Sequence, residues 1–338
     1  IPITVAPCAC QSMWDYIKTL PNHIQKEYWT NLNVGIIYEE NAGFIVKKMI
    51  EHKRFDRALD IIYHSSHKNV QFDTTIIEET IIGIIKASDS NLFSRMQYEL
   101  AKVVYLLDKR EDANLQTLYS IEVLLYRLLE HHGNINDTKF IKEIMSNPES
   151  LMEIIDKTYL SSDENERAVE FEQVKNDNSY ALLGWHIFYT LRQTPFVDSN
   201  NTIDEVALNN YIDQLQTLGN AKHKIKGVNT VIGELLGNYP ETEDYPSIPI
   251  CDIIERLNNK EVNNGFRTRL YNKRGVTVRP AYEGGTLEKN EADKYKKYAD
   301  KIRYTHPIVC SIFDDLSRDY YQIAKNEDIR VKIEKMEF

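Results

Sequence analysis

The chain has little of what an all-β protein or a disulfide-rich protein needs. Its 338 residues include only 13 glycines, 10 prolines and 4 cysteines. Many short strands would need more glycine and proline at their turns, so the composition excludes an all-β fold. Hydrophobic residues still make up 42% of the chain and charged residues 27%, as in ordinary folded proteins. We therefore expect a folded protein built from long secondary-structure elements.

The four cysteines do not form a metal-binding pattern. Cys8 and Cys10 form a CxC pair, while Cys251 and Cys310 stand alone. A zinc site needs four well-spaced ligands, and no second pair of Cys or His lies at a suitable distance. We expect free, buried thiols in a reducing, cytoplasmic setting, and no metal.

Long apolar runs and targeting signals are missing as well. No stretch of transmembrane length occurs, so we expect no membrane partner. The first ten residues, IPITVAPCAC, have no basic region and are not typical of a signal peptide. Because no initiator Met is present, we expect a fragment or a processed chain.

The common catalytic and nucleotide-binding motifs are absent. There is no GxxxxGK[ST] loop, no GxGxxG fingerprint and no HExxH helix. Asp314 and Asp315 are neighbours on a predicted helix and point in different directions, which makes them a poor acid–base or metal pair. The sequence therefore predicts no catalytic residue and no cofactor, and an enzyme is the less favoured class.

One enzymatic alternative depends on the segment from Arg127 to His132, RLLEHH. An Arg followed by a His on one helix resembles the signature of the HEPN ribonucleases. That resemblance implies that Arg127 stabilises phosphate charge and that His132 acts as an acid or base. The segment departs from the pattern at Leu128, where a polar residue is usual. The other interpretation is an amphipathic helix end whose histidines face the negative end of the helix dipole.

Helical periodicity runs through most of the chain. Asp73 is placed to cap a helix over Thr74–Ala87, where isoleucines recur at helical spacing. A small residue such as Ala58 at a predicted helix crossing is typical of helical hairpins in repeat arrays. We predict an all-α fold of antiparallel helical hairpins, solenoid-like at least in the N-terminal half. Two further helices should close the chain, the second beginning at Pro307.

A polar stretch, Asp163–Asn178, divides the chain in this interpretation. We predict that it is a domain boundary or a mobile loop. It separates an N-terminal helical-hairpin region, residues 1–162, from a C-terminal helical region, residues 179–338. The segment Ser179–Leu191 is apolar on nearly all sides, so it should lie in the interior, with Trp185 and His186 in the core.

Residues Gly265–Gly285 form a basic segment in an acidic chain. The formal net charge is −10, yet residues 263–338 hold 16 Lys and Arg against 12 Asp and Glu. The basic residues of the segment are Arg267, Arg269, Lys273, Arg274 and Arg279. Val276 and Val278 alternate with other residues before Pro280, a pattern typical of extended backbone. We therefore predict a short, ordered excursion near residues 270–285 that is partly extended.

The basic residues of this segment are predicted to have different roles. Arg274 lies between apolar Tyr271 and Val276, so it should be the most buried of them. A buried guanidinium needs acceptors, and we expect a structural ion pair between Arg274 and Glu288. The other four basic residues are candidates for binding an anionic partner: Arg267, Arg269, Lys273 and Arg279. Of these, Arg267 and Arg269 should be the more exposed.

A set of residues between about Gly227 and Asp328 carries a family resemblance. It comprises GVN and GELLGN within Gly227–Asn238, YNKRGV at Tyr271–Val276, and Arg279, Gly284, Gly285, Glu288, Ala292, Tyr295, Ala299, Pro307, Ile312, Tyr321, Ala324 and Asp328. On these residues the chain resembles the C-terminal helical region of large, mostly uncharacterised bacterial proteins associated with anti-phage defence loci. The resemblance implies a multidomain bacterial protein whose other parts hold the effector chemistry. It supplies no active-site residue.

These patterns favour a binding function over a catalytic one. We predict a non-catalytic scaffold or sensor region that binds another protein or another domain of its own assembly. The 21 tyrosines suit a protein-recognition surface. Nucleic-acid binding through residues 267–279 is a further alternative, less favoured because the chain as a whole is acidic.

Overall fold

The chain folds into α-helices, as its periodicity predicts. The structure, a computed structural model, describes residues 11–32, 41–68, 70–87, 90–275, 280 and 283–334. Helices make up 76% of the chain, and the described residues contain no strand. The described residues form one isolated antiparallel β-bridge, between Val197 and Ile203. The predicted all-α class is confirmed.

The chain divides into two compact units, unit 1 (residues 1–142) and unit 2 (residues 143–338). Unit 1 contains α1 (Gln11–Lys18), α2 (Asn22–Asn31), α3 (Ala42–Glu51), α4 (Phe55–Ser66), α5 (Thr74–Lys86), α6 (Ser90–Arg95), α7 (Gln97–Asp108), α8 (Leu115–Leu124), α9 (Tyr126–His132) and a 3-10 turn (Ile135–Asp137). The boundary between the units falls within α10 (Lys139–Ser146).

Helical hairpins build unit 1. Three residues connect α3 to α4, and the two helices contact each other, so they run antiparallel. α4 also contacts α5 and α7, and it buries Ala58 and Leu59 completely. Asp73 caps α5 as predicted, since its carboxylate accepts the Thr75 N–H at 3.0 Å.

A buried carboxyl group lies where α8 meets the start of α10. Glu122 Oε2 accepts the Phe140 N–H at 2.9 Å, while Asp108 Oδ1 accepts the Lys139 N–H at 2.7 Å. Burial, and after it the interaction with the Asp108 carboxyl group, raises the pKa of Glu122 to about 8. The group is therefore protonated at neutral pH, because an isolated buried carboxylate would be costly.

We expect Glu122→Gln to stabilise the protein at alkaline pH and to change little at pH 5. The folded-state pKa lies above the unfolded value, so the wild type loses stability as the pH rises from about 4.5 through 8. A glutamine keeps an acceptor for Phe140 and has no proton to lose. Thermal unfolding should show a melting temperature higher by on the order of 5–10 °C at pH 9. A pH-independent difference, or an equal effect of Glu79→Gln at an exposed site, would contradict this account.

Unit 2 contains the remaining helices. These are α11 (Pro148–Thr158), α12 (Glu164–Asn176), α13 (Ser179–Thr190), α14 (Glu205–Ala221), α15 (Ile225–Gly237), α16 (Ile248–Leu257), α17 (Lys260–Lys273), α18 (Thr286–Ile302) and α19 (Pro307–Glu334). Pro307 begins α19, as predicted. The free thiols of Cys251 and Cys310 are buried here, also as predicted, while Cys8 and Cys10 lie outside the described residues.

The polar stretch that we predicted as a boundary or mobile loop is helix α12. Asp163 caps this helix by accepting the N–H groups of Asn165 and Glu166 at 3.0 and 3.1 Å. The Glu170 carboxylate accepts the Ser161 N–H at 2.7 Å and so ties the helix to the preceding turn. The loop alternative was wrong because these contacts, together with the ion pair between Glu170 and Lys224, hold a helix that buries none of its own residues.

Glycines bring α15 and α17 unusually close together. A Cβ at Gly265 would overlap the Thr230 carbonyl oxygen of α15, and a Cβ at Gly233 would overlap the Val262 carbonyl oxygen of α17. One turn further along, a Cβ at Gly237 would lie only 2.8 Å from the Arg269 Cβ. Without side chains at these positions the two backbones come into direct contact, which explains why this is one of the most extensive helix pairings in unit 2.

The predicted excursion near residues 270–285, within the basic segment Gly265–Gly285, is helical in its first part. Residues Gly265 to Lys273 belong to α17, and Arg274 still has helical backbone angles. This part of the prediction was wrong because packing of α17 against α15 continues the helix through the basic residues. Val276 and Val278, on which the extended part depended, lie outside the described residues.

None of the described helices combines the length and the apolar character needed to cross a membrane.

Candidate protein-binding surface

Helix α13 has two apolar faces, and only one of them is buried. Gly184, Ile187 and Phe188 lie on the inner face. Leu182, Trp185 and Tyr189 are 51%, 47% and 58% exposed. Their spacing of three and four residues places these three side chains on one side of the helix, opposite the inner face. We call Leu182, Trp185 and Tyr189 the α13 outer face.

The prediction that α13 lies wholly in the interior, with Trp185 in the core, was therefore wrong. Trp14 and Trp29 are buried, so Trp185 is the exposed one of the three tryptophans. His186, also predicted to be a core residue, is half-buried. A helix that is apolar all round can be covered by its own chain or by a partner, and periodicity alone does not distinguish these cases.

The aromatic side chains of the outer face are held in place by neighbours. The Trp185 ring packs against the Tyr159 ring with centroids 4.9 Å apart. The Arg192 guanidinium lies over the Tyr189 ring, 5.7 Å from its centroid. Such contacts limit side-chain motion before any partner arrives, so less conformational entropy is lost on binding.

Arg269 fixes the C-terminal end of α13. Its guanidinium donates to the Tyr189 carbonyl at 3.0 Å and to the Phe188 carbonyl. The same group lies 3.9 Å from the Glu234 carboxylate of α15. Burial lowers the pKa of Arg269 and raises that of Glu234, while each partner's charge opposes the shift of the other.

The roles predicted for the arginines of the basic segment need one correction. Arg269 is only 3% exposed and is more buried than Arg274, so the predictions that Arg269 is exposed and that Arg274 is the most buried of the basic residues were wrong. The last carbonyl groups of α13 have no partner within the helix, and they accept the hydrogen bonds of the Arg269 guanidinium. No sequence pattern signals this, because the acceptors lie about eighty residues earlier in the chain.

The structural ion pair predicted in the basic segment is present. Arg274 donates to Glu288 at 2.7 Å, and Glu288 is almost fully buried. Arg267 is half-exposed, as predicted, and pairs with Asp319 of α19. Lys273 is half-buried and donates to the Tyr239 carbonyl.

These basic residues do not form a free cationic patch in the part of the segment that the structure describes. Arg267 and Arg274 pair with carboxylates, and Arg269 and Lys273 donate to backbone carbonyls. Arg279, the remaining predicted binding residue, lies outside the described residues.

The two residues of the ribonuclease alternative lie on α9 in unit 1. Arg127 is exposed, whereas the His132 ring packs against Tyr98 with centroids 5.8 Å apart. A separation of five residues turns the two side chains about 140° apart around the helix axis. The helix itself therefore does not direct Arg127 and His132 towards a common substrate.

The described residues also contain no group of three His, Cys, Asp or Glu side chains that could hold a metal ion. Comparisons of the chain with protein-family models, with curated proteins and with solved structures find no match.

Proposed function

We propose that this chain is a non-catalytic helical scaffold or sensor region that binds another protein, or another domain of its own assembly, through the α13 outer face. The observation that carries the proposal is the exposure of Leu182, Trp185 and Tyr189 on one side of a helix whose opposite side is buried. Large aromatic and aliphatic side chains that are grouped on a surface are typical of interfaces.

The chemistry of the face indicates the kind of partner. Trp and Tyr are the side chains that most often dominate binding energy at interfaces, and Leu182 completes an apolar strip. Three positions at spacings of three and four residues suit the apolar face of a partner helix laid along α13. A carboxylate at the edge of that partner would complement Arg192 beside Tyr189.

The wider setting is part of the same proposal. The resemblance of residues 227–328 to bacterial defence proteins supports a bacterial multidomain assembly in which this chain supplies recognition. Two buried, unpaired cysteines in unit 2 agree with a reducing cytoplasm. The ribonuclease and nucleic-acid alternatives are less favoured, because no described contact unites Arg127 with His132 and the described basic segment is engaged internally.

We expect Leu182→Asp to weaken partner binding at least about thirtyfold, because a carboxylate within an apolar interface loses its hydration without a counterion. The measurement compares the partner recovered with tagged wild-type and variant chains from the native host, followed by titration of the purified partner. Leu115→Asp is the matched control, since Leu115 is 49% exposed on α8 and lies outside the α13 outer face.

Trp185 supplies an independent readout for the same complex. Trp14 and Trp29 are buried, so acrylamide quenching of tryptophan fluorescence reports mainly on Trp185. The purified partner should reduce this quenching. The proposal fails if the partner binds Leu182→Asp as tightly as wild type, or if Trp185 stays equally quenchable in the complex.

A further inference from the structure

Unit 2 contains a cleft with charged residues in its wall, and it shares no residue with the α13 outer face. Its volume is about 590 Å³, within the range of roughly 300–1,000 Å³ that is common for small-ligand sites. The residues that follow α15, the end of α17 and one side of α18 line it. The charged and amide groups in its wall are Asn238, Glu241, Lys273, Arg274, Asn290, Glu291 and Lys294.

Two of the three cations in the cleft wall have carboxylate partners. Lys294 lies 2.6 Å from Glu291 and 3.4 Å from Glu241. Arg274 donates to Glu288 at 2.7 Å. These pairs leave little net charge, so they do not by themselves select a ligand of one sign.

Lys273 differs from the other two cations. Its ammonium group donates to the Tyr239 carbonyl, and no described carboxylate lies within ion-pairing distance of it. Burial lowers the pKa of Lys273 to about 8, with nearby Glu241 opposing the shift and Arg269 and Lys294 adding to it. A partly desolvated ammonium has three donors, and one carbonyl satisfies only one of them. An anion in the cleft would supply the missing charge.

Asn238 adds an unsatisfied acceptor to the same wall. It is 4% exposed, and its amide nitrogen donates to the Gln193 carbonyl at 3.1 Å. Its Oδ1 atom is buried and accepts no hydrogen bond from any described residue. Buried acceptors are nearly always paired in folded proteins, so a ligand donor that reached this oxygen after a small shift of the Asn238 side chain would complete its hydrogen bonding.

We propose that this cleft binds a small organic anion that also carries an N–H or O–H donor. The anionic group would pair with Lys273, and the donor would satisfy Asn238 Oδ1. A phosphate ester and an amino acid share this chemistry, and both are small enough for the cleft. The site would give the scaffold a small-molecule input that does not depend on the α13 outer face.

The test is isothermal titration of the purified chain with adenosine 5′-monophosphate and, separately, with L-glutamate. Lys273→Gln keeps an N–H donor for the Tyr239 carbonyl and removes the charge, so we expect affinity to fall at least about tenfold. Lys260→Gln is the control, because Lys260 is exposed at the opposite end of the same helix and should leave affinity unchanged.

Each outcome decides the proposal. Charge-dependent binding of adenosine 5′-monophosphate alone would support a phosphate ester, and charge-dependent binding of L-glutamate alone would support a carboxylate. If neither probe binds, or if Lys273→Gln binds as tightly as wild type, the proposal is overturned. Thermal unfolding of Lys273→Gln checks that the variant is folded. Its melting temperature should not fall, since a buried charge without a counterion is removed.

Discussion

Gly265→Ala is expected to lower the free energy of unfolding of unit 2 by about 2 kcal/mol or more. The added methyl group would overlap the Thr230 carbonyl oxygen, which belongs to the backbone of α15 and has no rotamer to change. The helices α15 and α17 would have to move apart along their whole contact. Denaturant unfolding followed by circular dichroism measures the loss.

The same chemical change at Gly43 should have the opposite sign. Gly43 lies in α3, and a Cβ there would meet nothing within 4 Å. Alanine favours a helix over glycine by up to about 1 kcal/mol, so Gly43→Ala should stabilise slightly. Equal effects at the two positions would show that helix propensity, and not contact between α15 and α17, decides the outcome at Gly265.

Arg269→Ala is expected to cost about 3–5 kcal/mol, the largest loss among the substitutions proposed for unit 2. It removes the donor to the Phe188 and Tyr189 carbonyls and leaves the Glu234 carboxylate buried without its cation. The loss should be smaller at pH 5 than at pH 8. Burial already raises the pKa of Glu234, and a protonated Glu234 needs no counterion.

Arg267→Ala is the control for Arg269→Ala, two residues away on the same helix. Arg267 and Asp319 are each 42% exposed, and an exposed ion pair of this kind contributes at most about 1 kcal/mol. Urea unfolding of the two variants should separate them clearly. If Arg267→Ala were the more destabilising of the two, our assignment of the anchoring role to Arg269 would be wrong.

The position of Arg269 also connects stability with the proposed binding function. Because it holds the last carbonyls of α13, milder substitutions such as Arg269→Lys should loosen the end of the helix that carries Tyr189. The α13 outer face is thus supported by a residue on α17, a helix that itself depends on Gly265 for its place against α15. Contacts remote from a surface can in this way determine how well ordered that surface is.

Local patterns in the sequence were sufficient for the features that depend on neighbouring residues. Helical periodicity and the scarcity of glycine and proline predicted the all-α class, which the structure confirms. Asp73 and Pro307 mark helix starts correctly, because caps and N1 prolines act within one turn. The ion pair between Arg274 and Glu288 was also predictable, since fourteen residues and one connection separate the two.

Tertiary structure alone decided which side of α13 is covered, which arginine is buried and how near α15 lies to α17. The apolar pattern of α13 is the same whether its second face meets its own chain or remains exposed at Trp185. Arg269 is buried because carbonyls from α13 and a carboxylate from α15 converge on it. Gly265 matters because the α15 backbone at Thr230 packs directly against it. These features depend on groups that are distant in the chain. The apolar periodicity of a segment predicts which residues share a face of its helix, but it does not predict what packs against that face.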